Sequence, residues 1–456
     1  MTNLQQIPEL QALQSPKALV RVPPEIDVPV TERVMRLIDS SVFRRLSRIS
    51  QLGLVSTVYP GATHTRFEHS LGVYRNAILY LQRLATIPEF QSKISNSDAQ
   101  LFLVAALFHD IGHFPFCHLI EDMGIPGMRQ HEALAADFLD SDSIVKLLRD
   151  DWGIDALDVC ELLSPADKKR PRHPLLSSLL SGPIDVDKLD YLDRDSLHAG
   201  VPYGRNFDRN RLISQLCLAS DHQSLAITDK ARTAAEMMVF ARYVMFSEVY
   251  WHHTVRAATA MLQRAIWSLL QKESSDASIR EFVRDWGELS EHAFIERLRN
   301  LTENTPFADL VEGLFGQERS IYKCIGEYHC QESPMLHKAI ARRPYLDLQV
   351  LASKLLQKIT QETSITIESH ELIIDAPPPK LEVQFQIEVR KASGQFVQLG
   401  DLSPVIQTLT TQQFDNLVKR VRVFIHPRLR AELENCPIHD YLTMILNREI
   451  LDRNFK

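Results

Sequence analysis

The chain has little that would tie it to a membrane, an oxidising compartment or a generic polyanion. Its six cysteines, at positions 117, 160, 217, 324, 330 and 436, form no CxxC pair, which excludes the compact thiol motifs of redox and zinc modules. Nothing near Met1 reads as a secretory signal, so a reduced, cytoplasmic protein is expected. The longest apolar run, Leu101 to Phe108, is far shorter than the ~18 residues of a membrane-span candidate, so no membrane partner is expected. Charge is nearly balanced, at -7 overall with 24% charged residues. Phosphate chemistry would therefore rest on local basic residues or a metal rather than on net charge, and nucleic acid is left open as a partner. There is no internal repeat and no low-complexity tract.

What is present is an ordinary globular composition, 45% hydrophobic, in a chain of 456 residues. That length exceeds the usual single domain, so one large domain with a smaller one appended is expected. Residues 1–30 carry Pro16, Pro23, Pro24 and Pro29 and read as an irregular amino-terminal arm. Residues 31–361 read as helical, with apolar residues at helical spacing and few glycines over 97–109, 229–272 and 336–361. Residues 362–456 change character. SITIESHELIID (364–375) and the alternating LEVQFQIEVR (381–390), separated by Pro377-Pro378-Pro379, predict a small α/β region. The fold class expected is mainly α.

Local signals place candidate chemistry on these elements. Thr65-Arg66-Phe67-Glu68 reads as a capping box that puts Arg66 and His69 in a first helical turn, where free N–H groups favour an anion. Ser97-Asp98-Ala99-Gln100 reads as a second one, opening the helix that ends near Gly112. Pro115 suits the first position of the next helix, on which His118 and Glu121 share a face at i, i+3. In IDVDKLDYLDRDSLHAG, a helix would align Asp187, Tyr191, Arg194 or Asp195, and His198. His109-Asp110 offers a neutral imidazole and a hard carboxylate side by side, suited to Mn, Fe, Zn or Mg. His69, His109, Asp110 and Asp187 thus form a candidate ligand set on three helices. By spacing alone, Asp187 fits a helix-surface acid equally well, and His69 a helix-terminal residue with no ligand.

The order H…HD…D, carried by QLGLVSTVYPGATHTRFEHSLGV, LFHDIGHFPFCH, His131-Glu132 and IDVDKLDYLDRD, resembles the HD-domain phosphohydrolase superfamily. More narrowly it resembles the deoxynucleoside triphosphate triphosphohydrolases, including the vertebrate SAM-and-HD-domain enzymes and their bacterial relatives. The likeness covers about residues 35–330 and involves the catalytic region only. It implies an HD-type helical core, metal ligation by His69, His109, Asp110 and Asp187, and a divalent cation that is Mn, Mg or Fe, with Zn also compatible. It further implies triphosphate contacts from Arg66, His113, His118, Lys188 and Tyr191. Gln51, Leu52, Asp195 and Tyr250 would surround the sugar, and His131 and Glu132 would complete the catalytic set.

The implied reaction is attack at the α-phosphorus, releasing deoxynucleoside and intact triphosphate. A bound cation supports it by lowering the pKa of water and polarising a phosphoryl oxygen. The departing 5′ oxygen calls for an acid, and His118, oriented by Glu121, is the first candidate, with His113 and His131 in competition. The family usually has Asp where Glu121 stands. Arg66, Lys188 and Arg242 would neutralise phosphate charge. Gln51-Leu52 matches the family's reader of the 3′ hydroxyl, and a close Tyr191 would crowd a 2′ hydroxyl.

Relatives are commonly oligomers with activator nucleotides between subunits. Asp39, Arg211, Lys230, Arg319 and Lys323 match that apparatus, which implies a homo-dimer or homo-tetramer and an activator nucleotide. Ser47, Thr228, Ala234, Phe246 and Glu248 depart from it. Two other classes remain open on the residues alone: an HD phosphohydrolase of another nucleotide or oligonucleotide phosphoester, and a non-catalytic nucleotide- or nucleic-acid-binding regulator.

Overall fold

Helix α1 (Arg66–Leu84) and helix α2 (Asn96–Phe108) are the axis around which the candidate site is built. Alpha2 is buried from Leu101 through Phe108 and has no polar face, the pattern of a helix surrounded by protein rather than by water. The computed structural model describes residues 3–14, 18–167, 169–271, 279, 285–378, 386–411 and 418–454. These residues are mainly helical, with short strands in small sheets, as the periodicity indicated. Among them no helix is long and apolar enough to cross a membrane.

Two compact units alternate along the chain. One comprises residues 1–115, 129–245 and 384–411, and the other 116–128, 246–383 and 412–456. The sequence reading places its divisions at 30/31 and 361/362 instead. Periodicity registers a change of element type, whereas compactness depends on long-range contacts that cross those points.

In the first unit, residues 18–30 are not an irregular arm. They form an antiparallel pair, Ala18–Val22 with Ile26–Val30, and the prolines fall in or beside its turn and at the edge position Pro29, where a missing N–H is tolerated. Helices α3 (His131–Leu139), α4 (Val186–His198) and α5 (Arg232–Met245) complete the helical part. Phe43 packs edge-on against Phe67 and Phe108, with ring centroids at 5.3 and 5.6 Å, so the starts of α1 and the end of α2 share one aromatic cluster. A four-stranded sheet joins 216–218, 225–228, 388–390 and 396–398 in that order. Of the expected strand at 381–390, residues 381–385 lie outside the described residues, and Glu388–Arg390 is a strand.

The second unit contains α6 (His253–Leu270) and α7 (Tyr345–Thr363). Its three-stranded antiparallel sheet has strand Val421–Ile425 between Lys323–Tyr328 and Leu372–Asp375. All five residues of the central strand are buried, and Val421, Val423 and Ile425 pack with Leu351, Leu355 and Ile359 of α7. The helical expectation over 229–272 is interrupted. A 3-10 turn, α5, a π-helical turn at Phe246–Tyr250 and α6 follow one another. Likewise 336–361 is divided between Pro334–Ile340 and α7, because Pro344 precedes the second helix and cannot continue the first.

Candidate metal and phosphate site

Three helix ends bring the candidate ligands together. His69 lies in the first turn of α1, His109 is the C-cap of α2, and Asp187 lies in the first turn of α4. The start of α4 is fixed to α1 by Tyr80, whose hydroxyl donates to the Ile184 carbonyl at 3.0 Å, and by Asn76, which donates to the Val186 carbonyl at 2.8 Å. Asp185 caps α4 by accepting from the Lys188 N–H at 2.7 Å. Local capping differs from expectation at two points. Thr65 is the N-cap of α1 but makes no side-chain cap bond, and Glu68, the other half of the expected box, turns away to Arg194 and His198. The capping box of α2 is Ser95 with Asp98, two residues earlier than expected.

Ligand atoms of His69, His109 and Asp187 all lie within 4.8 Å of one another. His69 Nε2 is 3.1 Å from Asp187 Oδ1 and 3.1 Å from His109 Nε2. Asp110 flanks both rings, with Oδ1 3.3 Å from His109 Nε2 and Oδ2 3.9 Å from His69 Nε2. The hydrogen bonds fix what these nitrogens offer. His69 Nδ1 is 2.9 Å from Asp190 Oδ2, and His109 Nδ1 is 2.9 Å from the Ala106 carbonyl. Each Nδ1 thus faces an acceptor and carries a proton, so Nε2 is the nitrogen that each ring can offer a cation once no proton occupies it. Both Nε2 atoms and the Asp187 carboxylate converge on one place, where a positive charge, a proton or a metal cation, is favoured.

The electrostatics agree with that pull. Burial opposes a charge on His69, but Asp187 and Asp190 as hydrogen-bond partners, with Asp110 nearby, raise its pKa to about 10. Burial likewise works to raise Asp110, and the charges of His113, His109, Arg66 and His69 overcome it and hold this carboxyl well below its usual range. Asp187 is also lowered, against burial, by His69. The donor set, two imidazole nitrogens with carboxylate oxygens, fits a borderline divalent cation. Asp187 is one-third exposed at its side chain, so the site opens to solvent on one edge, as catalytic sites do.

Around this cluster, Arg66 is buried and donates to Asp110 Oδ2 at 2.7 Å. His113 is buried 3.3 Å from Asp110 Oδ1, and its ring lies 3.8 Å from that of His131. Glu132 follows His131 at 4.0 Å. Lys188 pairs with Asp185 rather than extending away. Tyr191 feels Arg242, Asp187, Asp185 and Asp195, and burial raises its pKa. Asp195 is buried with Oδ1 3.0 Å from His64 Nε2. Among the described residues the buried side-chain oxygen of Gln51 accepts no hydrogen bond, while its backbone N–H donates to the His64 carbonyl. Leu52 is half-buried beside it.

His118, Glu121 and Tyr250 belong to segments of the second unit. The helix bearing the first two starts at Cys117, after Phe116 in a left-handed conformation, so Pro115 precedes the cap instead of opening the helix. His118 is exposed, and its Nδ1 is 3.8 Å from Glu121 Oε2, too long for the hydrogen bond expected to hold its tautomer. Tyr250 packs on Phe246. Asp39 lines a groove of about 420 Å³ with Arg36 and Ser143, whereas Lys230 lines a different cavity of about 750 Å³ with Arg83 and Arg390. Arg211 is exposed in the first unit, and Arg319 and Lys323 are exposed in the second.

Sequence reasoning missed Asp190, Asp185, Glu68 and His64 as parts of the site. One signal for Asp190 was available: with Arg194 it forms an i, i+4 acid–base pair on the helix that carries Asp187.

Residues 66–195 match the HD domain family and residues 207–449 match the HD associated region. An uncharacterized protein of Methanocaldococcus jannaschii is 29% identical over 434 residues, covering 92% of this chain and 82% of that protein. The deoxynucleoside triphosphate triphosphohydrolase SAMHD1 of Homo sapiens is 32% identical over 263 residues, covering 51% of this chain and 41% of that protein. The crystal structure of a hypothetical protein from Aquifex aeolicus superposes with a TM-score of 0.67 at 26% identity, covering 91% of this chain and 98% of that one.

Proposed function

The chain belongs to the HD-domain phosphohydrolase superfamily, and from that premise we propose that it hydrolyses deoxynucleoside triphosphates to deoxynucleoside and triphosphate. The observation that carries the reading is the facing pair of Nε2 atoms, His69 and His109 at 3.1 Å, with Asp187 and Asp110 beside them. These four residues would hold a divalent cation, Mn, Mg or Fe, with Zn compatible with the same donors. When bound, such a cation supplies Lewis-acid polarisation of a phosphoryl oxygen and a lowered pKa for water.

The chain's own groups do the rest. Arg66, anchored by Asp110, presents fixed positive charge where the phosphates would lie, and Lys188 and Arg242 extend that charge on α4 and α5. Tyr191 adds a hydroxyl kept protonated by burial. The departing 5′ oxygen is protonated by a histidine. His118 is assigned that part by the family likeness, and His113 and His131, tilted rings with centroids at 3.8 Å, stand beside Asp110 and Glu132. Recognition of the sugar's 3′ hydroxyl is supported by Gln51, whose buried side-chain oxygen accepts no hydrogen bond among the described residues. A sugar hydroxyl would satisfy it, and a ligand lacking that hydroxyl would leave it unpaired. Asp195 and Leu52 would complete the sugar side. An activator nucleotide and a homo-dimer or tetramer follow from the same likeness.

The test is incubation of metal-loaded protein with each dNTP and rNTP, separately and mixed, with chromatographic identification of products. Intact triphosphate from dNTPs supports the reading. Inorganic phosphate or cleavage of another phosphoester in its place overturns it, and turnover appearing only in mixtures reveals the activator.

A further inference from the structure

His69 offers its Nε2 to the cation only while its other nitrogen keeps the proton, and a single buried carboxylate enforces that condition. Asp190 Oδ2 lies 2.9 Å from His69 Nδ1. The same carboxylate is gripped by Arg194, whose Nε and Nη2 donate to its two oxygens at 2.8 Å each. Both partners are almost fully buried, at 2% side-chain exposure apiece. Arg194 is held from behind by Glu68, which also accepts from His198 at 2.8 Å. Burial would raise the Asp190 carboxyl, but Arg194 and His69 hold it well below its usual range, so it remains an anion.

The space for this arrangement is reserved by a glycine. A Cβ on Gly72, one turn beyond His69 on α1, would lie 1.9 Å from Asp190 Oδ1 and 2.4 Å from Arg194 Nη2. The network continues toward the sugar side. His198 stacks on His64 at 4.3 Å, and His64 Nε2 is 3.0 Å from Asp195 Oδ1.

We propose that Asp190 is a positioning residue of the cation site: it locks His69 as the Nδ1–H tautomer in a fixed ring orientation, and Arg194, Glu68 and the gap at Gly72 lock Asp190. The proposal rests on the metal reading above. An ion pair needed for folding alone would be complete with Arg194. Here Oδ2 is shared between the guanidinium and the imidazole, so removing the charge frees the ring to rotate or to move its proton to Nε2, where it blocks a ligand.

The test compares full-length wild type and Asp190→Asn by Mn2+ titration calorimetry, by the visible spectrum of the Co2+-loaded protein, and by the thermal midpoint of the metal-free protein. Asparagine keeps the shape but must turn an N–H2 toward either Arg194 or His69. The expected result is ~10–100-fold weaker Mn2+ binding together with altered Co2+ bands. A lowered thermal midpoint with unchanged Mn2+ affinity and Co2+ spectrum would assign Asp190 to folding and overturn the proposal. Wild type that binds no Mn2+ overturns the metal reading instead. Glu68→Gln, which loosens Arg194 from its far side, is the milder variant should Asp190→Asn not fold. It is expected to weaken Mn2+ by up to ~10-fold, and an unchanged affinity there counts equally against the proposal.

Discussion

Both units bury charge, but they pair it differently. In the first, the carboxylates of the candidate site meet imidazoles as well as guanidinium groups: Asp187 and Asp110 with His69 and His109, Asp110 also with Arg66, and Asp190 with both His69 and Arg194. In the second, carboxylates meet guanidinium groups: Asp375 with Arg256, Glu371 with Arg428 and Glu327 with Arg422. Arginine is charged at every working pH and spreads several donors over both carboxylate oxygens, so such pairs are complete in themselves. Histidine has two nitrogens with separate fates. Once Asp190 or a carbonyl takes the Nδ1 proton, Nε2 has an unspent lone pair. Paired charge therefore leaves an open cluster of ligand atoms in one unit and internal ties in the other, and the difference is the presence of imidazole.

The largest effect is expected where that difference is abolished. His109→Ala and Asp187→Ala should remove metal retention and turnover together, beyond the ~10–100-fold expected for loss of a partner that only supports a ligand. Metal content by elemental analysis and product formation by chromatography read both. Retained metal with normal turnover in either variant would dissolve the contrast between the units. Next is the opposite kind of break. Arg256 is buried, holds both oxygens of Asp375 and lies 4.2 Å over the Trp251 ring. Arg256→Ala leaves a buried carboxylate alone and is expected to cost ~3–5 kcal/mol in denaturant unfolding, while metal content per folded molecule stays at the wild-type level. Lost metal binding in soundly folded protein would contradict a purely structural part for this pair.

The same contrast explains what was legible in the sequence. Helix content was legible because α4 has strong periodicity and α2 a capped apolar run too long for a strand, and the mainly α class followed. His69, His109 and Asp187 were legible as an ordered set, since residue type and order survive in one dimension. Glu68 was misread: S/T-x-x-E is a capping pattern locally, but a buried Arg194 more than a hundred residues away competes for the carboxylate and wins. Pairing partners of this kind are set by tertiary packing, which also decided that 388–390 joins 225–228 in a parallel pair. His64 and Gln51 depend on a backbone bond between them, and no local motif announces it.

A smaller effect should sharpen the comparison inside the first unit. Gln51→Ala removes a buried acceptor that is unpaired among the described residues and is expected to cost ~1–3 kcal/mol of discrimination between sugars with and without a 3′ hydroxyl. The ratio of kcat/KM for a dNTP and its 2′,3′-dideoxy analogue is the measurement. An unchanged ratio removes Gln51 from the sugar side without touching the metal cluster.

The smallest effect concerns pH and the second unit. Burial tends to raise the Glu371 carboxyl, but Arg428 and the Glu368 N–H lower it below its ordinary 4.5. A lowered folded-state pKa means that the pair stabilises fully above about that ordinary value and that its contribution disappears as pH falls through the lower folded value. Because Arg428 is half exposed, solvent screens the pair and its contribution is about 1 kcal/mol. Glu371→Gln should therefore flatten the stability profile on the acid side of pH 4.5 while lowering stability slightly at pH 7. An acid limb equally steep in this variant would show that the second unit's guanidinium pairs do not set its acid stability, and would move that burden to the carboxylates of the histidine cluster.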